Sequence, residues 1–186
     1  SRAIFYKKKL KDYDLALKDY TKAIELDEDE PKRWYNRGYL YYVYLNNNDK
    51  ALKDFEKTLE VDSTYVDAIN YKGLIFGNEG KYDLAIKEYE RGIALAEIDP
   101  SGAAWCYSNR AEQYERLREF DKALADYGSA IALDPENAVR YNSRAIFYNY
   151  SLKDYDLALL DYTKAIELDE DEPDCWYWRG DLYYVY

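Results

Sequence analysis

Histidine and methionine are absent from this chain of 186 residues, and cysteine occurs only twice. The lack of histidine removes the commonest general base and the commonest metal ligand. Cys106 and Cys175 stand too far apart for a close-spaced metal or redox motif, and two cysteines do not make a disulfide framework. We therefore expect no metal site, no cofactor and no catalytic centre, so that the protein is not an enzyme.

Long apolar runs are also missing, since no stretch approaches the roughly 18 residues that a membrane span needs. Residues 1–10 lack the apolar core of a signal peptide. Lysine and arginine number 26 against 37 aspartates and glutamates, which gives a net charge of −11. This charge disfavours a surface for nucleic acid or for an anionic membrane. We expect no nucleic acid, no membrane insertion, and protein or peptide partners that are neutral or basic.

A pattern of a small residue, a large aromatic residue four positions on and another small residue three further recurs five times. Spacings of four and three place each trio on one face of a helix, where the small side chains let another helix approach closely. Each trio therefore predicts a packed second helix of a helix pair. The trios are Ala16, Tyr20, Ala23; Ala51, Phe55, Thr58; Ala85, Tyr89, Gly92; Ala123, Tyr127, Ala130; and Ala158, Tyr162, Ala165.

A second pattern predicts the first helix of each pair: a bulky residue, then Gly or Ala four on, then an aromatic residue three further. All four prolines precede such a helix and follow Asp or Glu, which suits a capping residue followed by Pro at the first helical position. Ser63 with Thr64 would cap the remaining one. The first-helix motifs are Trp34, Gly38, Tyr41; Ile69, Gly73, Phe76; Tyr107, Ala111, Tyr114; Tyr141, Ala145, Tyr148; and Trp176, Gly180, Tyr183.

The first-helix motifs begin 35, 38, 34 and 35 residues apart. This period and the order of small and aromatic residues resemble the tetratricopeptide repeat over essentially the whole chain. The resemblance implies an all-α, right-handed superhelical solenoid of antiparallel helix pairs, with a generic helical bundle as the alternative. We expect one array over residues 1–186, with units at 1–30 (partial), 31–64, 65–100, 101–135, 136–172 and 173–186 (partial).

The resemblance further implies a non-enzymatic scaffold that binds a peptide or protein segment on the concave face lined by the first helices. Aromatic rings with polar tips, together with amides, suit a peptide backbone. The expected groove residues are Tyr35, Tyr39, Tyr42, Asn70, Leu74, Trp105, Asn109, Glu112, Asn142 and Ile146.

The chain departs from the family pattern in its charges. Heat-shock chaperone tails are held in this family by Lys, Asn and Arg on three consecutive first helices. The matching faces here carry residues such as Tyr35, Tyr71 and Trp105, and they lack those cations, so we do not expect a chaperone-tail receptor. Basic residues instead stand where leucine is usual, at Arg37, Lys72, Arg110, Arg144 and Arg179.

Residues 1–44 and 143–186 are identical at 36 of 44 positions, offset by 142 residues. The eight differences change the block charge from +2 to −6. Both ends lack a polar capping helix, and uncapped solenoid ends tend to stack. The alternative function is therefore a structural subunit that associates end to end into a filament. Location stays open, with the cytoplasm favoured, or an extracellular site if the protein is filamentous.

Two further motifs have simple interpretations. The acidic runs at 27–30 and 169–172 lack the spacing of a calcium loop and suit stabilisation of a helix N-terminus by negative charge. Asn149 begins an Asn-Tyr-Ser glycosylation sequon, which matters only if the protein is exported.

Overall fold

A computed structural model describes residues 12–185, within which ten α-helices and no strands occur. The all-α class predicted from the sequence is confirmed. The part of unit 1–30 that precedes residue 12 lies outside the described residues. The helices are α1 (Tyr13–Leu26), α2 (Pro31–Val43), α3 (Asn48–Val61), α4 (Val66–Asn78), α5 (Tyr82–Ile93), α6 (Pro100–Arg116), α7 (Phe120–Leu133), α8 (Ala138–Phe147), α9 (Tyr155–Leu168) and α10 (Pro173–Val185), with a π-helical turn (Tyr148–Leu152) after α8.

The chain divides into two compact units, residues 1–81 and 82–186. In the first unit α2 packs against α1 and α3, and α3 packs against α4. In the second unit each helix from α5 to α10 packs against the next. Short connections make consecutive helices antiparallel neighbours. The single array over residues 1–186 stays a prediction.

The trios of small and aromatic residues form the core of the second helices. Phe55, Tyr89 and Tyr162 are fully buried, and Tyr127 and Tyr20 are 2% and 4% exposed. Alanines flank these rings with no exposed surface, except for Ala23, which is half-buried. The predicted burial pattern is confirmed, and it places each ring where a neighbouring helix closes over it.

Partly buried ion pairs join the two helices of three repeats. The Arg37 guanidinium on α2 donates from two nitrogens to the Asp54 carboxylate on α3, at 2.8 and 2.7 Å. Arg110 binds Asp126 at 2.7 and 2.8 Å, and Arg144 binds Asp161 at 2.7 and 2.9 Å. The aspartate hydrogen bonds hold the pKa of each of these arginines above its ordinary value. Three of the five basic residues that stand where leucine is usual thus join two helices, and these ion pairs are here called the arginine clamps.

Side-chain caps fix where several helices begin. The Asp12, Asn47, Asp99 and Asp154 side chains each accept a hydrogen bond from a backbone N–H three residues further on. Pro31, Pro100 and Pro173 stand at the first helical position, as predicted.

One predicted helix start and one predicted cap were wrong. Helix α8 begins three residues after Pro135, because Asn137 accepts from the Val139 N–H and caps the helix instead. Helix α4 has no side-chain cap, because Thr64 uses its own N–H and hydroxyl to bind Asp62. The turn residues there satisfy one another, which leaves none for the helix end.

The close contact between helices leaves no space for a side chain at Gly38, whereas the space beside Gly128 is open. A Cβ at Gly38 would lie 2.9 Å from Phe55 Cε1 and 3.1 Å from Asp54 Cβ, but one at Gly128 would meet nothing within 4 Å. Gly38→Ala should therefore destabilise the protein by about 1–3 kcal/mol through overpacking. Gly128→Ala should stabilise it by about 0.5–1 kcal/mol through helix propensity. Urea unfolding of both variants measures the two signs, and the same sign for both would contradict the packing described.

The Arg144–Asp161 pair gives a second prediction. Asp161→Ala should cost about 3 kcal/mol, since it leaves Arg144 partly buried without its partner. The double variant Arg144→Met, Asp161→Leu should recover most of that loss because it removes both charges. On the same helix, Glu167→Gln disrupts only an exposed pair with Lys164, at 3.6 Å, and should cost less than about 0.5 kcal/mol. Equal losses for the single and double variants would exclude a paired interaction.

Candidate functional site

A cluster of tyrosines, here called the tyrosine face, covers one side of α2 and α4 in the first unit. Its centre is Tyr71, whose ring centroid lies 5.3 Å from Tyr39, 5.6 Å from Tyr42 and 6.0 Å from Tyr35. Tyr65 completes the face at 5.0 Å from Tyr35. All five rings are half-buried, so each packs on the protein and still presents an edge to solvent.

The tyrosine face is anchored on the core and carries neutral hydroxyls. The Tyr71 ring stacks on the buried Phe55 at 5.6 Å. Burial, with a contribution from Asp67, raises the pKa of Tyr65 to about 12. The Asn78 amide donates to the Tyr42 hydroxyl at 3.0 Å. The face therefore offers rigid aromatic area together with groups that donate and accept hydrogen bonds.

A second region, a groove here called the α6–α8 groove, lies in the second unit and has a volume of about 570 Å³. The C-terminal half of α6, the start of α7, helix α8 and the π-helical turn enclose it. Its walls combine two carboxylates, two guanidinium groups and four bulky apolar or aromatic side chains. The lining residues are Glu112, Glu115, Arg116, Arg118, Phe120, Tyr127, Ser143, Ile146, Tyr150 and Ser151.

The two carboxylates of the groove differ in their surroundings. Glu115 is fixed, because the Ser151 hydroxyl donates to it and the Tyr127 hydroxyl hydrogen-bonds it from the core. Glu112 is exposed to the groove, and within residues 12–185 the structure shows no hydrogen bond or ion pair to its carboxylate. Desolvation raises the pKa of Glu112, and Arg116 offsets only part of this effect. Glu112 is thus an acidic group that lacks a strong cationic partner.

The structure brings some of the predicted groove residues together and buries others. Tyr35, Tyr39 and Tyr42 meet on the tyrosine face, and Glu112 and Ile146 line the α6–α8 groove. Leu74, Trp105 and Asn142 are half-buried elsewhere on their helices. Asn70 and Asn109 are 0% and 6% exposed, which differs from the expectation that their amides line an open surface. Helical spacing indicates which residues share one side of a helix but not how deeply the neighbouring helices cover that side.

Sequence reasoning missed several residues of these two regions. Tyr71, at the centre of the tyrosine face, was considered only for a cationic clamp. Glu115 comes from α6, whereas Tyr150 and Ser151 come from the π-helical turn, and only the latter two carry a sequence signal. That signal is the replacement of Lys8 and Lys9 of the first block by Tyr150 and Ser151 in the second.

The sequon residue Asn149 lies in the π-helical turn. It is 7% exposed, and its side chain lies near the Tyr162 hydroxyl. In the folded chain the amide therefore faces protein more than solvent. Glycosylation at Asn149 stays a prediction.

Within residues 12–185 no group of three or more side chains could hold a metal ion. The same part of the chain contains no helix that is both long enough and apolar enough to span a membrane. Cys106 and Cys175 are buried free thiols, and burial raises the pKa of Cys175 to about 11.

Comparison with known proteins gives matches along most of the chain. Models described as tetratricopeptide repeat match residues 40–103 and 104–137, and one described as TPR repeat matches 7–43 and 149–185. Among curated proteins, the small glutamine-rich tetratricopeptide repeat-containing protein 2 of Saccharomyces cerevisiae is 39% identical over 70 residues. The match covers 38% of this chain and 19% of the yeast protein, so it spans about a fifth of that relative.

Solved structures show the same fold. A thermophilic TPR protein of Thermus thermophilus superposes with a TM-score of 0.74 at 21% identity, covering 93% of this chain and 91% of that one. YrrB, described as a TPR protein with an unusual peptide-binding site, gives 0.62 at 22% identity, covering 96% and 88%. These likenesses confirm the solenoid fold class.

The matched repeats also support a general role. Proteins built from them bind proteins or peptides and are generally non-enzymatic scaffolds. The helix pairs, the buried trios and the family matches lead to one conclusion: the chain belongs to the tetratricopeptide repeat family.

Proposed function

We propose that the protein is a non-enzymatic scaffold that binds an extended peptide or protein segment on the face of its first helices. The observation that carries this proposal is the tyrosine face. Tyrosine provides a large contact area at a low cost in conformational entropy, and its hydroxyl can bond a peptide backbone. Five such rings lie side by side, and the buried Phe55 supports them.

The charge of the chain indicates which segments would bind. The net charge of −11 repels acidic segments and attracts basic ones over distances of about a Debye length. The tyrosine face is made of five tyrosines and contains no lysine or arginine that could bind a carboxylate. A neutral or basic segment therefore fits this surface better than an acidic chaperone tail.

Tyr39→Ala tests the proposal on a peptide array probed at physiological salt. The variant should weaken the peptides that bind by about tenfold or more, because aromatic residues at the centre of an interface contribute about 2 kcal/mol or more. Tyr39→Phe separates the hydroxyl from the ring. Tyr177→Ala, which removes a 63% exposed ring of α10, is the matched control and should leave binding unchanged.

Thermal melts of each variant exclude a loss of folding as the cause of weaker binding. Peptides that bind Tyr39→Ala as tightly as the unchanged protein would rule out the tyrosine face as the site.

A second candidate function is self-association end to end into a filament, and helix α10 favours it. Trp176, Tyr177, Tyr183 and Tyr184 are 48%, 63%, 65% and 90% exposed on this helix. Arg179 occupies the clamp position, yet among the described residues it donates only to the Thr163 hydroxyl, at 3.3 Å. A second-type helix of another copy, with aspartate before its aromatic residue, would supply both an apolar surface and a carboxylate.

Sedimentation velocity over a concentration series, with electron microscopy of the same samples, tests self-association. Association should rise with concentration and weaken with salt, because the two terminal blocks carry +2 and −6. The double variant Tyr177→Ser, Tyr184→Ser should shift the protein to monomer, whereas Ile98→Ser, at an equally exposed position between α5 and α6, should not. A monomer at high concentration and low salt would eliminate the filament.

A further inference from the structure

We propose that the α6–α8 groove binds the cationic side chain of a lysine or arginine in the partner segment. This inference rests on the proposed function, since it assigns a second contact for the same kind of partner segment. The partner segment would carry a positive charge at this contact, whereas the chaperone tails that other members of the family hold are acidic.

The shape of the groove suits a long side chain with an aliphatic stem. Ile146, Phe120 and Tyr150 provide apolar and aromatic walls, and the volume of about 570 Å³ leaves room for one such chain. Lysine and arginine bury their methylene stems against surfaces of this kind while their charged ends stay in polar surroundings. Tyr150 is 45% exposed, with Trp178 packed edge-on at 5.8 Å and Lys153 Nζ at 5.8 Å from its ring centroid, so only the rest of the ring is open to a ligand.

The charges of the groove favour a cation at its acidic side. Glu112 has no ion pair within the described residues, and Glu115 is held in place by two hydroxyls. The half-buried carboxylate of Glu115 gains more from an incoming ammonium group than a fully hydrated one does.

The guanidinium groups of the groove are exposed, whereas Glu115 is half-buried and ordered by the Ser151 hydroxyl. Water already solvates Arg116 and Arg118, so an anion gains less at them than a cation gains at Glu115. The whole-chain charge of −11 also favours a cationic ligand.

The duplicated blocks provide an independent sequence argument. Positions 150 and 151 line the groove as Tyr150 and Ser151, whereas the matching positions of the first block are Lys8 and Lys9. A lysine at either groove position would bring an internal ammonium group close to Glu115. Tyrosine and serine remove that internal cation, while the serine hydroxyl orients the Glu115 carboxylate. The replacements thus leave the negative charge for a ligand.

The test is an NMR titration of the full chain with N-acetyl-lysine-N-methylamide. The norleucine analogue keeps the stem and lacks the ammonium group, and the glutamate analogue reverses the charge. The lysine probe should shift the signals of Ile146, Tyr150 and Glu112 in a saturable way, with at least about fivefold weaker binding of the norleucine probe. Equal binding of the lysine and norleucine probes, or binding of the glutamate probe alone, would overturn the proposal.

One variant is expected to weaken binding of the lysine probe and another to strengthen it, which distinguishes an effect on binding from damage to the fold. Glu112→Gln keeps the shape and should weaken the lysine probe by about tenfold, through loss of a charge-assisted hydrogen bond. Arg116→Gln removes the cation that competes for Glu112 and should strengthen binding, which a damaged fold would not do. Tyr150→Lys restores the lysine of the first block and should abolish binding. An unchanged dissociation constant in Glu112→Gln would refute the role of that carboxylate.

The same peptide array distinguishes this inference from the proposed function. Peptides that depend on Tyr39 but tolerate exchange of lysine for norleucine would uphold the scaffold and reject the cation pocket. Saturable binding of the lysine probe, without any peptide that depends on Tyr39, would uphold the pocket and reject the tyrosine face.

Discussion

The structure depends on one packing constraint, an aromatic ring held between two small residues on the inner side of each second helix. Phe55, Tyr89, Tyr127 and Tyr162 are at most 2% exposed, and the alanines beside them let the adjacent helix approach the ring. A larger residue at the small positions would push the helices apart. In the first unit this contact lies on the second helices, and the tyrosine face lies on the first helices α2 and α4.

Periodicity predicts this core well, because helical spacing and side-chain size alone decide which residues a helix can bury. It predicts helix starts less well. Proline is compatible with a first helical turn and equally with the loop before it, so Pro135 gave the wrong start while Pro31 gave the right one. At Thr64 a local hydrogen bond to Asp62 competes with capping, and sequence alone does not rank the two.

The residues of the candidate sites could also be predicted only in part, because the sequence pattern assigns residues to helices but packing decides which of them stay exposed. Tyr35, Tyr39 and Tyr42 could be predicted to share a surface, since they lie on one helix. Asn70 and Asn109 could be assigned to the correct helices, yet their burial depends on neighbours that no spacing rule includes. The α6–α8 groove needs three helices and a π-helical turn to converge, and a π-helical turn leaves no periodic signature in the sequence.

The arginine clamps have a consequence for how such a chain can grow. Arg37 and Asp54, like Arg144 and Asp161, lie 17 residues apart within a single repeat, so both halves of a clamp are inherited together. A copied stretch of DNA that encodes whole repeats brings its own charge partners and needs no compensating change elsewhere. A pair that slipped by one helical turn would instead leave a guanidinium and a carboxylate unmatched in a desolvated contact. The clamps thereby make lengthening by duplication tolerable while they forbid misaligned pairing, and the two blocks offset by 142 residues have the form that such copying leaves behind.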